Sequence, residues 1–328
     1  MKNIMITGGA GYVGSILVPK LLELGHKVSV YDLMIYGKNT LKDHRNLTKI
    51  TGDIRDIKNF KQALKTLSFD TVIHLACISN DPSFELNPAL GKSINLDAFR
   101  PLVQIAIDSS VRHFIYASSS SVYGIKKEAN VSEEISLEPL TDYSIYKAEC
   151  EKILSEYTSE EFITTTLRPA TVCGYAPRQR LDVVVNILTN LAFHKREITI
   201  FGGEQLRPNI DIIDMANAYI SIIEAPAEKI NKQVLNVGGK NFSVREIANK
   251  VKNIIGNDVK LITTPTADNR SYHISSNKIK ELINFTPVFE IEDSVLGLKK
   301  AFENNMLNDP LNNKQYFNIK TMQSIKMV

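Results

Sequence analysis

Short apolar runs alternate with stretches of helical period through the first half of the chain. Residues 2–6 read as a buried strand, and Val13, Ile16, Leu17, Leu21 and Leu24 then recur at helical spacing over 12–24. Gly25 ends that helix, and 27–31 give a second strand. The same reading predicts strands over 47–51, 70–75, 113–117 and 162–167, and helices over 57–67, 88–111 and 143–158. Gly91 and Pro101 interrupt the long helical pattern, and Pro101 predicts a kink because it lacks an N–H to donate. Such alternation implies a doubly wound α/β fold, a parallel sheet covered by helices on both faces, with ligands beyond the carboxyl ends of the strands.

After Cys173 the rhythm changes. Short strands are predicted over 198–201 and 209–212, and helices over 181–193, 214–224, 243–255, 277–282 and 292–302. The expected organisation is a dinucleotide-binding domain over 1–172 with a return near 209–238. A smaller, discontinuous substrate-binding cap would take 173–208 and 239–328. The Asn- and Lys-rich last 25 or so residues give no clear pattern.

The first strand runs straight into Thr7-Gly8-Gly9-Ala10-Gly11-Tyr12-Val13-Gly14. Glycines where a strand turns into a helix let the backbone approach a pyrophosphate, and the free helix N–H groups receive its charge. Asp32 follows at the end of the next apolar run. A carboxylate there accepts both hydroxyls of an adenosine ribose and repels a 2′-phosphate, so NAD is favoured over NADP. Leu33, Met34 and Ile35 come next, with no cation immediately after the acid.

Composition narrows the class further. With 328 residues, 43% hydrophobic and 23% charged, the chain suits one large domain or two modest ones. A net charge of +3 without long like-charge runs predicts no nucleic-acid or membrane partner. The chain opens directly on a strand and has no apolar run of about 20 residues, which predicts no leader and no membrane span. Cys77, Cys150 and Cys173 are widely spaced and read as free thiols of a cytoplasmic protein. They and the six His form no metal-ligand spacing, so no metal is expected.

Three Tyr-x-x-x-Lys pairs occur: Tyr123/Lys127, Tyr143/Lys147 and Tyr316/Lys320. Only Tyr143 opens a predicted helix, where this spacing puts phenol and ammonium on one face. An ammonium there would lower the phenol's pKa and make it a base toward an alcohol. Ser118-Ser119-Ser120-Ser121 stands at the end of a predicted strand, so its hydroxyls point into the same crevice.

Taken in order, these motifs resemble the extended short-chain dehydrogenase/reductases, in particular the NAD-dependent nucleotide-sugar epimerases and dehydratases. The resemblance reaches to about Phe302. Thr7 to Gly14 resembles the family's TGxxGxxG, and His74-Leu75-Ala76-Cys77 its HLAA with Cys for the last Ala. The resemblance implies NAD contacts by Gly8, Gly11, Tyr12, Val13, Gly14, Asp32, Asp53, Ile54, Leu75, Ala76, Cys77, Asn95, Tyr143, Lys147, Pro169 and Val172. Of these, Asn95 is similar to a helix Asn that braces the active site. Ser119, Tyr143 and Lys147 match the catalytic residues. Ser79, Ser120, Ser121, Thr171, Arg180, Asn186, Arg207 and Arg270 are the implied substrate contacts, Arg207 and Arg270 as guanidinium forks for a diphosphate. In the second half, Asp211 replaces a usual His.

The resemblance implies a homodimer that acts on a nucleotide sugar by transient oxidation at C4. Ser120 and Ser121 stand where 4,6-dehydratases carry an Asp-Glu pair, which disfavours dehydration. The segment from Arg168 to Asn186 is similar to a branch that includes enzymes with net redox chemistry, so a 4-dehydrogenase or 4-ketoreductase is the alternative. A non-catalytic NAD sensor on the same fold would lack the Tyr/Lys pair.

Overall fold

The structure is a computed structural model that describes residues 1–37, 39–128, 130–266 and 271–326. Strands β1 (Asn3–Thr7), β2 (Lys27–Asp32), β3 (Leu47–Thr51), β4 (Thr71–His74), β5 (His113–Ala117) and β6 (Ile163–Pro169) come first along the chain. Then follow β7 (Thr171–Cys173), β8 (Glu197–Phe201), β9 (Leu206–Asp211), β10 (Gln233–Val237), β11 (Asn241–Ser243) and β12 (Lys260–Thr264). A seven-stranded parallel sheet runs β10-β6-β5-β4-β1-β2-β3. This is the predicted doubly wound α/β architecture.

Both faces of the sheet are covered, which is why its strands read as unbroken apolar runs. Side chains still alternate. Ile4, Ile6, Ile73 and Ile115 face one core with the helices Gly14–Glu23 and Ile212–Glu224. Met5, Val72, Phe114 and Tyr116 face the other, against Phe60, Phe99, Leu102 and Leu154. Each such side chain, fully buried, contributes about 1.5–3 kcal/mol.

Two element readings need correction. The 88–111 stretch is not one helix kinked at Pro101. It is a short helix Pro88–Lys92, a π-turn Ser93–Asp97 and a helix Phe99–Asp108. The break lies before Pro101, which then sits in a first turn whose N–H groups lack intrahelical partners anyway. The stretch 239–328 is also divided. Ile274, Ile279 and Phe285 pack into the core beneath the parallel sheet, and Met322 into the core on its other face.

The smaller unit builds its own core between the helices Val184–Lys195, Val244–Ile255 and Ile291–Glu303, through residues such as Val185, Leu188, Ile247, Val251 and Val295. The parallel pair β8–β12 and the three-stranded β11-β9-β7 complete it. Among the described residues no helix is long and apolar enough to cross a membrane.

Two histidines lie inside the main sheet. His74 Nδ1 shares a 2.7 Å hydrogen bond with Thr7 Oγ1, and His113 Nε2 a 2.9 Å bond with Thr165 Oγ1. Burial pushes each down to about 3, against about 6.5 in an unfolded chain. Between those values the unfolded chain binds more protons, so stability rises with pH across that window. Urea midpoints measured from pH 7.5 to 4.5 should fall below about pH 6.5, with a shallower slope in His113→Gln.

Candidate active site

The glycine turn is fixed by close approach. Gly8 has φ +73°, and a Cβ there would lie 2.6 Å from Ala76 N; a Cβ on Gly14 would lie 2.2 Å from Gly9 O. The helix Gly14–Glu23 thereby starts directly over the ends of β1 and β4. Gly11 lines the crevice, and its missing side chain leaves its backbone open to a ligand. Asp32 locks this turn, its two oxygens accepting from Ala10 N at 3.0 Å and Met34 N at 2.7 Å. Burial raises the Asp32 pKa, and those two N–H groups and Arg178 oppose the rise.

The crevice, about 520 Å³, runs along the carboxyl ends of β1, β2, β4, β5 and β6. It brings together every candidate named from the sequence except three. Asn95 does not face it. Its amide accepts from Ile78 N and donates to Ile78 O, both at 2.9 Å, so it braces the loop after β4. Asn186 is likewise turned inward. Its Nδ2 donates to Tyr12 Oη at 2.9 Å and Arg180 O at 2.8 Å, and its Oδ1 accepts from Gly174 N at 2.9 Å. That buried amide shapes the loop that carries Arg180. Arg270 lies outside the described residues.

At the floor stand the three residues expected to do chemistry. Thr141 caps the helix Asp142–Tyr157, which places Tyr143 in its first turn and Lys147 one turn on, both in the crevice wall. Lys147 is buried, donates to Ala117 O at 2.7 Å and lies 5.1 Å from the Tyr116 ring centroid. Ser119 caps the turn Ser120–Tyr123; its Oγ is 2.8 Å from Ser121 Oγ, and it lines the crevice together with Tyr143. The Tyr143 phenol departs from expectation. Burial pushes its pKa up, Cys77 and Asp81 add to the rise, and Ser119 and Arg180 oppose it. The Lys147 ammonium, 5.8 Å from the Tyr143 ring centroid, does not offset that burial.

The other two Tyr-x-x-x-Lys pairs are spent elsewhere. Tyr123 Oη accepts from Arg168 Nη1 and donates to Asn236 Oδ1, each at 2.8 Å. Lys320 lies 4.1 Å from the Phe317 ring centroid, outside the crevice.

The crevice residues given no role from the sequence include Tyr36, Asp81, Arg178 and Asn318. Tyr36 and Asp81 lie just beyond β2 and β4, and their place on the crevice side of those strands was a usable signal. Asn318 had none, because its partners are far away in the chain.

The residues around Gly11, Asp32 and Lys147 fit a dinucleotide, since they offer a side-chain-free cradle at a helix start, a ribose acceptor and a buried cation in one crevice. Comparison with known proteins agrees. The model of the NAD-dependent epimerase/dehydratase family matches residues 4–238. The chain belongs to this family. NAD is accordingly its cofactor; the solved structure of MoeE5 in complex with UDP-glucuronic acid and NAD is 26% identical, with a TM-score of 0.80 over 93% of this chain and 100% of that one. The UDP-glucose 4-epimerase of Thermotoga maritima, solved with UDP-glucose, is 26% identical with a TM-score of 0.85 over the same shares. The UDP-glucose 4-epimerase of Lactobacillus helveticus is 27% identical over 316 residues, 90% of this chain and 95% of that protein.

Beneath the site, Arg168 and Glu151 form a buried ion pair, with Arg168 Nη2 at 2.6 Å and Nε at 3.0 Å from the carboxylate. Ser118 Oγ donates to the same carboxylate. Arg168→Met strands a buried charge and should cost about 3–5 kcal/mol in urea unfolding. Glu151→Leu combined with Arg168→Met should recover much of that loss.

Proposed function

We propose that this protein is an NAD-dependent nucleotide-sugar epimerase that works by transient oxidation at C4 of the sugar. The observation that carries the reading is that Ser119, Tyr143 and buried Lys147 come together in one wall of the crevice, with the Lys147 ammonium 5.8 Å from the Tyr143 ring centroid. Tyr143 takes the proton of the 4-hydroxyl, and Ser119 hydrogen-bonds the same oxygen. Lys147, anchored on Ala117 O, holds the ribose at the nicotinamide end of the cofactor. NAD, when bound, supplies the reversible two-electron acceptor and a positive charge that favours the phenolate. That charge is what a buried Tyr143 needs, because the protein alone holds the phenol protonated.

The 4-keto sugar turns over within the crevice and is reduced on its opposite face. Arg207, in the crevice wall beside Tyr272, meets the sugar's diphosphate, with Thr171 and Ser79 nearer the sugar. Ser120 and Ser121 supply no acid–base pair for removing water, so the reaction stops at inversion.

Purified protein incubated with UDP-, GDP-, dTDP- and CDP-sugars and no added cofactor should yield a C4 epimer by proton NMR. A keto sugar formed only when NAD is supplied would replace the epimerase by a net 4-dehydrogenase. Tyr143→Phe should lose about 10²–10⁴ in kcat while it retains NAD; near-normal turnover would refute the role of Tyr143.

A further inference from the structure

Arg178 is a buried cation in the crevice wall that makes no contact ion pair; the carboxylates that act on it, Asp182 and Asp32, do so at longer range. Its side chain is 4% exposed, and among the described residues no carboxylate lies within ion-pair distance. Its Nε has no hydrogen-bond partner, and its guanidinium carbon lies 3.5 Å from the centroid of the Tyr36 ring. A buried charge with no contact ion pair is costly unless a ligand supplies the opposite sign.

Position says which ligand. The Arg178 backbone N–H donates to Ser15 Oγ at 3.3 Å, in the first turn of the helix that follows the glycine turn. That helix start is where phosphate is received from the backbone side. Arg178 also lies close enough to Asp32, the ribose acceptor, to affect its titration. Arg207, by contrast, stands at the Tyr272 side of the crevice.

The C-terminal segment holds Arg178 there. Asn318 opens the helix Asn318–Ser324. Its Oδ1 accepts from Arg178 Nη2 at 2.6 Å, its Nδ2 donates to Ser79 Oγ at 3.0 Å, and its backbone N–H donates to Asp182 at 2.8 Å. The family match ends at residue 238, well short of this segment.

We propose that Arg178 forms the cationic wall of the cofactor's diphosphate site, facing the glycine turn, and that Asn318 latches it in place. The inference rests on NAD binding and not on C4 chemistry, so the two stand or fall separately.

Calorimetric titration of the full-length protein, freed of cofactor, with NAD, ADP-ribose, adenosine and UDP tests it. Arg178→Gln should weaken NAD and ADP-ribose by roughly ten- to hundredfold and leave adenosine unchanged. Asn318→Ala should weaken the same two ligands by a smaller factor and speed release of NADH followed by its fluorescence. Equal loss for adenosine in either variant would overturn the proposal, as would unchanged NAD affinity with weakened UDP. If Arg178→Gln does not fold, Asn318→Ala decides alone, and unaltered NAD affinity and release in that variant refute the latch.

Discussion

The active site hangs on one buried ion pair. Glu151 on the catalytic helix and Arg168 on β6 each bring a charge into the protein interior, and neither is tolerable there without the other. Their carboxylate accepts from Ser118, the guanidinium donates to Tyr123, and Tyr123 donates in turn to Asn236 at the edge strand β10. The pair thus ties together the helix with Tyr143 and Lys147, the serine turn with Ser119, and the strand end that leads to Thr171. Apolar packing would hold these elements together, but it would not fix their rotation and height to the accuracy that three converging hydroxyl and amine groups demand.

The glycine turn works in a complementary way, through what is missing. Gly8 and Gly14 press against backbone on their inner side, while Gly11 is left bare on the crevice side. Asp32, the residue expected to meet a ribose, already pins Ala10 and Met34 through its two carboxylate oxygens. Cofactor recognition and turn geometry are therefore not separable at that residue.

The legible parts of this chain were those encoded at short range. Strand and helix periods, the glycine spacing and the Tyr143/Lys147 step each depend on neighbours within a turn or a strand. The doubly wound sheet followed from their alternation. The amides of Asn95 and Asn186 hydrogen-bond backbone that only the folded loops bring near, so those partners could not be read from the sequence. The π-turn before Pro101 was invisible because no residue type marks one extra residue in a helical turn. Tyr143 misled through electrostatics: spacing shows that an ammonium is close, but not how deeply the phenol is buried. Asn318 reaches partners 136 and 239 residues away, beyond any local pattern.

The chain passes repeatedly between its two cores. It leaves the main sheet at β7, returns with the helix Ile212–Glu224 and β10, leaves again at β11, and returns once more with Ile274, Ile279 and Phe285 before the final helices. The smaller unit is consequently woven in and not appended. No single junction separates it, so recombination cannot exchange it as a cassette.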